Sequence, residues 1–203
     1  KDNNSIPSNG FGFKSNLDIS FSKLGADFDY QKLIFDTFTN IDLNLCVLFL
    51  RGKSESIWGT PPPQEYVGFS DDISIYFPGN SGTAGMPENM NIRGWSGFNT
   101  GNQLLYSTLE FRIPFIKKIP ANLLMFSVGN LSSNIFYDMG LVWDRGKKNN
   151  TYISTIGYEM KFAIKIADSP LFYYSIGCAQ HLEDWMNKIK PTLYIRYALI
   201  NPF

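Results

Sequence analysis

The stretch STIGYEMKFAIKI, residues 154–166, decides the fold, because its apolar and charged residues alternate with a period of two. Large apolar side chains occupy every second position: Ile156, Tyr158, Met160, Phe162, Ile164 and Ile166. Glu159, Lys161 and Lys165 lie between them. Successive side chains of a β-strand point to opposite faces of the sheet, so the pattern predicts a strand with one apolar and one polar face.

The same alternation recurs along the chain and predicts an all-β, antiparallel fold. The predicted strands are 13–21, 30–40, 42–52, 103–113, 134–143, 154–166, 170–180 and 191–203. About eight strands of roughly ten residues result, which is the length that a tilted strand needs to cross a bilayer. In 42–52, the odd-numbered residues from Leu43 to Phe49 are predicted to form the apolar face.

Composition excludes several classes of protein. The 203 residues include 18 basic and 18 acidic side chains, so the chain lacks the basic surplus of a nucleic-acid-binding protein. Cys46 and Cys178 allow at most one disulfide, and the single His181 cannot form a metal site alone. No cofactor, metal or catalytic residue is therefore predicted. No apolar run is long enough for a transmembrane helix, but a membrane β-barrel needs none, since only every second strand residue faces lipid.

The predicted connections alternate between long and short. Long ones span 53–102, 144–153 and 181–190, whereas Asn40–Asp42 and 167–170 are tight. Long loops on one side and short turns on the other are typical of outer-membrane β-barrels. The connection 114–133 is too long for its side, and it is interpreted as an insert or a partner-facing segment.

Alternation alone also fits a soluble β-sandwich, whose apolar faces pack against each other. Aromatic residues near the predicted strand ends favour a membrane barrel with interfacial girdles: Phe13, Phe21, Trp143, Tyr158 and Phe203. The last strand has Leu193, Ile195, Tyr197 and Leu199 on one face and ends on Phe203. A final strand that stops on a terminal aromatic resembles the recognition signal of bacterial outer-membrane barrels.

Four motifs in order over 92–203 resemble the bacterial surface antigen / BamA-type superfamily of outer-membrane assembly factors. Ile92-Arg93-Gly94-Trp95 resembles the [VI]-R-G-[FY] motif of the family's long sixth loop, with Trp95 in place of Phe or Tyr. The segments GNQLLYSTLEFRIP (101–114) and IFYDMGLVWD (135–144) resemble the next two strands, and Tyr194–Phe203 resembles the last. Residues 1–91 match no motif of the family.

The resemblance implies that residues 1–203 form the C-terminal half of a sixteen-strand transmembrane barrel in the bacterial outer membrane. Residues 53–102 would be an extracellular loop that folds into the lumen, and 103–203 the last five strands. The N-terminal half and any periplasmic domain would lie outside this chain, as in a propeller-linked or otherwise divergent member. The implied function is insertion or translocation of proteins, with membrane lipid and client or complex proteins as partners. A structural, accessory or surface-antigen barrel, and a soluble all-β binding domain, are the alternatives.

The resemblance also implies a candidate site. The loop arginine folds back into the barrel and meets acidic residues of the next two strands, which here are Arg93, Glu110 and Asp138, with Gly94 and Trp95 beside the arginine. Alternation independently assigns Glu110 and Asp138 to polar faces. A buried charge is costly unless it is paired, and the guanidinium fork suits two carboxylates. The hypothesis is that this cluster pins the loop; in the alternative, Arg93 lies in a solvated loop.

Overall fold

The computed structural model describes residues 9–70, 89–95, 97–116, 121–123, 126–147, 150–166, 171–182 and 191–200. Its strands are β1 (Gly10–Ser20), β2 (Tyr30–Asp42), β3 (Val47–Gly59), β4 (Val67–Ser70), β5 (Asn89–Asn91), β6 (Asn99–Gly101), β7 (Gln103–Ile116), β8 (Ala121–Leu123), β9 (Phe126–Trp143), β10 (Asn150–Ile166), β11 (Leu171–His181) and β12 (Thr192–Ile200). Single 3-10 turns occur at Ser22–Leu24 and Pro63–Glu65. Within the described ranges, no helix has the length and apolar character to cross a membrane.

One large antiparallel sheet contains most of these strands. Its order is β1-β2-β3-β7-β9-β10-β11-β12, so each long strand pairs with its neighbour in the chain, and β8 adds to β9. The predicted all-β antiparallel fold is therefore confirmed. Within the described strands, β1 and β12 each pair on one side only, so the sheet is open.

The predicted connection 114–133 is wrong, because most of it is strand. β7 runs to Ile116 and β9 begins at Phe126, while β8 continues the hairpin with Ala121 opposite Val128. The register shifts between Pro114 and Ile116. A proline lacks the N–H that a ladder needs, and a bulge accommodates it without ending the strand. The connection on this side is thus short, as the alternation of long and short connections requires.

The predicted third strand, 42–52, and the loop 53–102 also need correction. A turn occupies residues 43–46, β3 extends from Val47 to Gly59, and the long loop therefore spans 60–102. Asn44 has a φ of 70°, and its N–H donates to Asp42 Oδ1 at 2.7 Å. This local turn interrupts the alternation, because asparagine tolerates the left-handed region. Val47 and Phe49 consequently lie on the same face of the sheet as Lys53 and Glu55. They do not lie on the opposite face, where the apolar residues of the neighbouring strands are exposed.

The two faces of the large sheet differ sharply. On the outer face, apolar rows of adjacent strands are in register, so that Ile135 of β9 lies between Phe111 of β7 and Tyr158 of β10. These side chains are exposed, among them Phe13, Leu17, Leu105, Phe111, Ile135, Tyr158, Met160, Ile176, Leu193 and Ile195. The inner face instead contains buried polar and charged residues, including Lys32, Lys53, Glu55, Thr108, Glu110, Asp138 and Glu159.

The long loop folds onto the inner face. Its strands β4, β5 and β6 form a small sheet in which β4 pairs parallel with β5 and antiparallel with β6. A buried cluster joins Val67, Phe69 and Ile92 of the loop to Ile57, Leu104, Tyr106, Val142 and Ile153 of the large sheet. Gly140 makes room for this contact, since a Cβ there would collide with Ile92 Cδ1 and Phe69 Cζ.

Gly140→Ala is expected to lower the free energy of unfolding by about 1–3 kcal/mol, because overpacking strains a filled core. Urea unfolding of the refolded protein measures the change. The matched control is Gly52→Ala, where the nearest atom to an added Cβ is Thr37 Cγ2 at 3.9 Å. The control is expected to be neutral, and equal losses in both variants would contradict the tight loop contact at Gly140.

Candidate functional site

Arg93 follows β5 and lies against the inner face of the large sheet with 3% of its surface exposed. Its guanidinium binds Asp138 of β9 in a bidentate pair: Nε donates to Oδ2 at 2.7 Å and Nη2 donates to Oδ1 at 2.6 Å. The backbone N–H of Arg93 also donates to Asp138 Oδ2, at 3.3 Å. Such fork-to-fork pairs fix direction as well as charge.

The remaining guanidinium donors reach two further strands. Nη1 lies 2.7 Å from Glu110 Oε1 of β7 and 3.5 Å from Glu159 Oε2 of β10. Nη2 donates to the Thr108 hydroxyl at 2.9 Å, and that hydroxyl in turn donates to Asp138. One side chain of the loop therefore joins three adjacent strands of the sheet.

An aromatic ring supports the guanidinium plane. Arg93 Cζ lies 3.7 Å from the ring centroid of Phe136, a cation–π contact. Phe136 covers Gly157 on the adjacent strand, and a Cβ at Gly157 would meet Phe136 Cζ at 2.5 Å. Tyr194 covers Gly177 in the same way and contacts Phe136 edge to face, at 6.5 Å between ring centroids. Gly157 and Gly177 thus leave room for the two aromatic rings next to the guanidinium.

Charges in this network balance. Arg112 Nε lies 2.6 Å from Glu110 Oε2, and Lys161 Nζ lies 3.3 Å from Glu159 Oε2. With Arg93 and Asp138, the described residues therefore contribute three carboxylates and three cations. We call these residues, with Thr108 and Phe136, the Arg93 network. Burial alone would lower the pKa of Arg93, but Asp138, Glu110 and Glu159 raise it well above its usual range, so the guanidinium stays charged.

The other predicted loop residues complete the turn around Arg93. Gly94 has a φ of 74°, and a Cβ there would collide with Ala179 of β11, so glycine satisfies both the conformation and the close approach. The Trp95 N–H donates to the Ile92 carbonyl at 3.3 Å, and Trp95 packs against the loop core. The structure thus brings Arg93, Gly94 and Trp95 together with Glu110 and Asp138.

Sequence reasoning missed Thr108, Phe136 and Glu159 as members of the network. Glu159 lies on the polar face of the strand that was easiest to predict, but its meeting with Arg93 depends on strand register. In the register, Arg112 lies opposite Asn134, and Asn134 lies opposite Glu159. If the polar residues predicted for β7, β9 and β10 had been aligned side by side in this register, they would have indicated Glu159 as a partner of Arg93.

The predicted residues of the last strand lie apart from this network. Leu193 and Ile195 are on the outer face and largely exposed, at 81% and 71%. Tyr197 and Leu199 lie in β12, opposite Tyr174 and Phe172 of β11. Phe203 falls outside the described residues.

A second charged cluster holds the start of the loop. Lys53 Nζ lies 2.6 Å from Glu55 Oε1, and Lys32 Nζ lies 3.3 Å from Glu65 Oε2 and 3.9 Å from Glu55 Oε2. Glu65 ends the 3-10 turn of the loop, while the other three residues belong to β2 and β3. Two lysines and two glutamates balance each other, so this cluster is also neutral.

Comparison of the chain with protein-family models, with curated proteins and with solved structures returned no match. The case for a function therefore comes from the residues and the geometry described above.

Arg93→Ala is expected to destabilise the docked loop by about 3–5 kcal/mol, because the variant leaves buried carboxylates without their cation. The measurement is the rate at which a protease added to the folded protein cleaves within residues 89–101, and this rate should rise. Arg51→Ala is the control: Arg51 pairs with Asp36 at 2.6 Å, but its side chain is 35% exposed. This half-buried pair joins β3 to β2 and not the loop to the sheet, so its cleavage rate should stay near that of the wild type.

Arg93→Lys separates charge from geometry. Lysine keeps the positive charge but has neither the planar fork nor the stacking surface for Phe136. We expect its cleavage rate to stay close to that of Arg93→Ala. Full protection by lysine would contradict the bidentate geometry as the source of loop docking, whereas equal cleavage of Arg93→Ala and Arg51→Ala would contradict any anchoring by Arg93.

Proposed function

We propose that this chain is part of a transmembrane β-barrel wall in a bacterial outer membrane, with its own long loop folded into the lumen. One observation carries the proposal: the large sheet exposes its apolar face, while most of the charged residues on its other face from β3 to β10 are buried or half-buried. Phe13, Ile135 and Ile195 are 61%, 46% and 71% exposed, whereas Arg93 and Asp138 are 3% and 0% exposed. Lipid is the solvent that stabilises such an arrangement.

A soluble sandwich would need the opposite arrangement. Its apolar rows would lie back to back in a dry core and its charges would face water. An exposed apolar surface that runs across many strands marks an interaction surface instead of the exterior of a water-soluble monomer. The length of the strands supports the same conclusion, since β7, β9 and β10 have 14, 18 and 17 residues. Tilted strands of about 9–11 residues are enough to cross a bilayer.

The contents of the inner face support a barrel larger than this sheet. Eight strands closed on themselves leave an interior just wide enough for their own side chains. The inner face here also holds β4, β5, β6 and the Arg93 network. Free edges at β1 and β12 would leave backbone groups unpaired, which lipid does not tolerate. We therefore propose that further strands complete the barrel, in keeping with a sixteen-strand barrel of which these are the last eight.

Within this class, we propose a BamA-type role in the insertion or translocation of proteins. The support is the Ile92–Trp95 motif together with the contacts that Arg93 makes to Glu110 and Asp138. A loop held by a neutral, directional network has a defined position inside the barrel, and a client strand then meets a fixed surface. A structural or surface-antigen barrel is the second candidate, favoured by the apolar packing of Val67, Phe69 and Ile92, which suits a permanent plug.

Ile135→Arg tests the orientation of the sheet. An arginine at a lipid-facing position near the midplane is expected to destabilise the folded protein in a bilayer by about 2–4 kcal/mol. Asn16→Arg is the matched control, because Asn16 lies on the opposite face of β1. The measurement is the fraction of protein folded into lipid vesicles across a urea series. Equal effects of the two arginines would contradict a lipid-facing outer surface.

A reconstitution assay tests the insertion role. The full-length protein in vesicles is expected to accelerate the folding of a small urea-denatured β-barrel, and Arg93→Ala should reduce this acceleration while Arg51→Ala should not. A protein that inserts normally but leaves the folding rate unchanged would favour the structural barrel.

A further inference from the structure

An aromatic side chain is exposed on the inner face of the large sheet. Phe38 of β2 is 42% exposed, and among the described strand residues it is the only exposed large apolar side chain on this face. The register assigns it to the inner face, because Phe38 lies opposite Arg51 of β3 and Arg51 lies opposite Thr108 of the Arg93 network. One side of the ring covers Gly12 of β1, where an added Cβ would collide with it. The ring is therefore supported by the sheet on one side and open on the other.

Phe38 begins a row of stacked side chains that crosses three strands. Its ring centroid lies 6.3 Å from that of Phe49 of β3, and Arg112 Cζ of β7 lies 3.7 Å from the Phe49 centroid. Arg112 Nε donates to Glu110 Oε2 at 2.6 Å, but its two Nη groups donate no hydrogen bond to any described residue. We call Phe38, Phe49 and Arg112 the inner-face platform. It presents an aromatic surface with N–H donors at one end.

A buried acceptor adjoins the middle of this platform. Asn40 of β2 lies directly opposite Phe49, on the same face of the sheet. Asn40 is buried, and its Oδ1 has no hydrogen-bond partner within the part of the chain that the structure describes. Most buried side-chain oxygens in proteins are paired, so an unpaired one points to a missing donor.

An extended polypeptide has partners for all three features. Its backbone offers C=O groups to the Nη donors of Arg112 and N–H groups to Asn40, and an aromatic side chain can stack on an exposed ring. Charge favours an uncharged segment, because Arg112 and Glu110 already neutralise each other. An acidic side chain bound beside them would be an uncompensated anion, which is costly in a partly buried site.

We propose that the inner-face platform binds an extended, uncharged segment of another polypeptide that contains an aromatic residue. The aromatic side chain stacks on Phe38, a backbone carbonyl accepts from Arg112, and a backbone N–H donates to Asn40. Asn40 and Phe49 lie close to the turn at 43–46, at the end of the sheet with the short connections. That end is periplasmic in the proposed barrel. The inference rests on the proposed function, because a client polypeptide reaches the lumen from there.

Photo-cross-linking locates the bound segment. The probe is the peptide acetyl-Ser-Ser-Bpa-Ser-Ser-amide, in which Bpa is benzoylphenylalanine, added to the folded full-length protein in mild detergent. Mass spectrometry is expected to place the cross-links on the inner face of β1, β2 and β3. The neutral competitor acetyl-Ser-Ser-Tyr-Ser-Ser-amide should suppress them, whereas an all-serine peptide should not.

Matched variants test the two ends of the platform. Phe38→Leu is expected to lower the cross-link yield roughly threefold to tenfold, the loss of one aromatic contact. Its control is Phe35→Leu, since Phe35 of the same strand is 41% exposed but lies on the outer face. Arg112→Gln should lower the yield about tenfold, the loss of one charge-assisted hydrogen bond. Its control is Arg145→Gln, after β9 at the other end of the sheet. Both controls should keep the wild-type yield.

Asn40→Leu separates binding from stability. Replacing an unpaired buried acceptor by an apolar side chain is expected to raise the urea midpoint of unfolding, while the cross-link yield falls. An Asn40→Leu protein that is less stable than the wild type, or that cross-links equally well, contradicts the role of Asn40 in binding.

Three results would overturn the platform as a binding site. They are cross-links confined to the outer face, equal yields in Phe38→Leu and Phe35→Leu, and stronger competition by acetyl-Ser-Glu-Tyr-Ser-Ser-amide than by the neutral peptide. A protein that folds in vesicles but gives any of these contradicts the platform alone. A protein that stays monodisperse without detergent and does not enter vesicles contradicts the membrane assignment, and the same peptides and variants then judge the platform on the soluble protein.

Discussion

A buried guanidinium that must be neutralised organises this protein. Arg93 lies in the long loop between β3 and β7, and its five N–H donors are aimed at Asp138, Glu110, Glu159 and Thr108. Desolvating such a cation costs several kcal/mol, and only well-oriented carboxylates offset that cost. The loop is therefore stable on the sheet only if three strands present the right side chains at the right register.

Several features of the sheet follow from that requirement. Gly94 adopts a positive φ and lets the loop backbone approach Ala179, and Gly140 leaves space for Ile92 and Phe69. Gly157 leaves room for Phe136, on which the guanidinium stacks. Each of these glycines lies where the loop, or the Phe136 ring, is in close contact with a strand and no side chain would fit. The apolar contact and the ionic contact thus depend on the same close approach.

Electroneutrality extends beyond Arg93. The Lys32, Lys53, Glu55 and Glu65 cluster balances its own charges, and Arg51 pairs with Asp36. The inner face can therefore be largely closed off from water without leaving a net charge behind, while the outer face has apolar side chains exposed. The proposed membrane location depends on this division between the faces.

Period-two alternation predicted the strands well where each strand is uninterrupted. It assigned Glu110, Asp138 and Glu159 to the inner face correctly, because the direction of a side chain depends only on its own strand. It failed at residues 43–46, where the turn at Asn44 lies among apolar residues, and at 114–133, where β7 continues to Ile116 past a register shift and β9 begins at Phe126. Local patterns do not reveal whether a break in alternation ends a strand or is absorbed by it.

The amino-acid sequence by itself determined which faces are apolar and which are charged, whereas the pairing of Arg93 with acidic residues was only what the family resemblance implied. Tertiary structure alone decided that Glu159 and Thr108 join Asp138 and Glu110, and that Phe136 supports Arg93. The physical reason is that side-chain direction is a local property of an extended backbone, whereas register and loop docking depend on contacts between residues far apart in the chain.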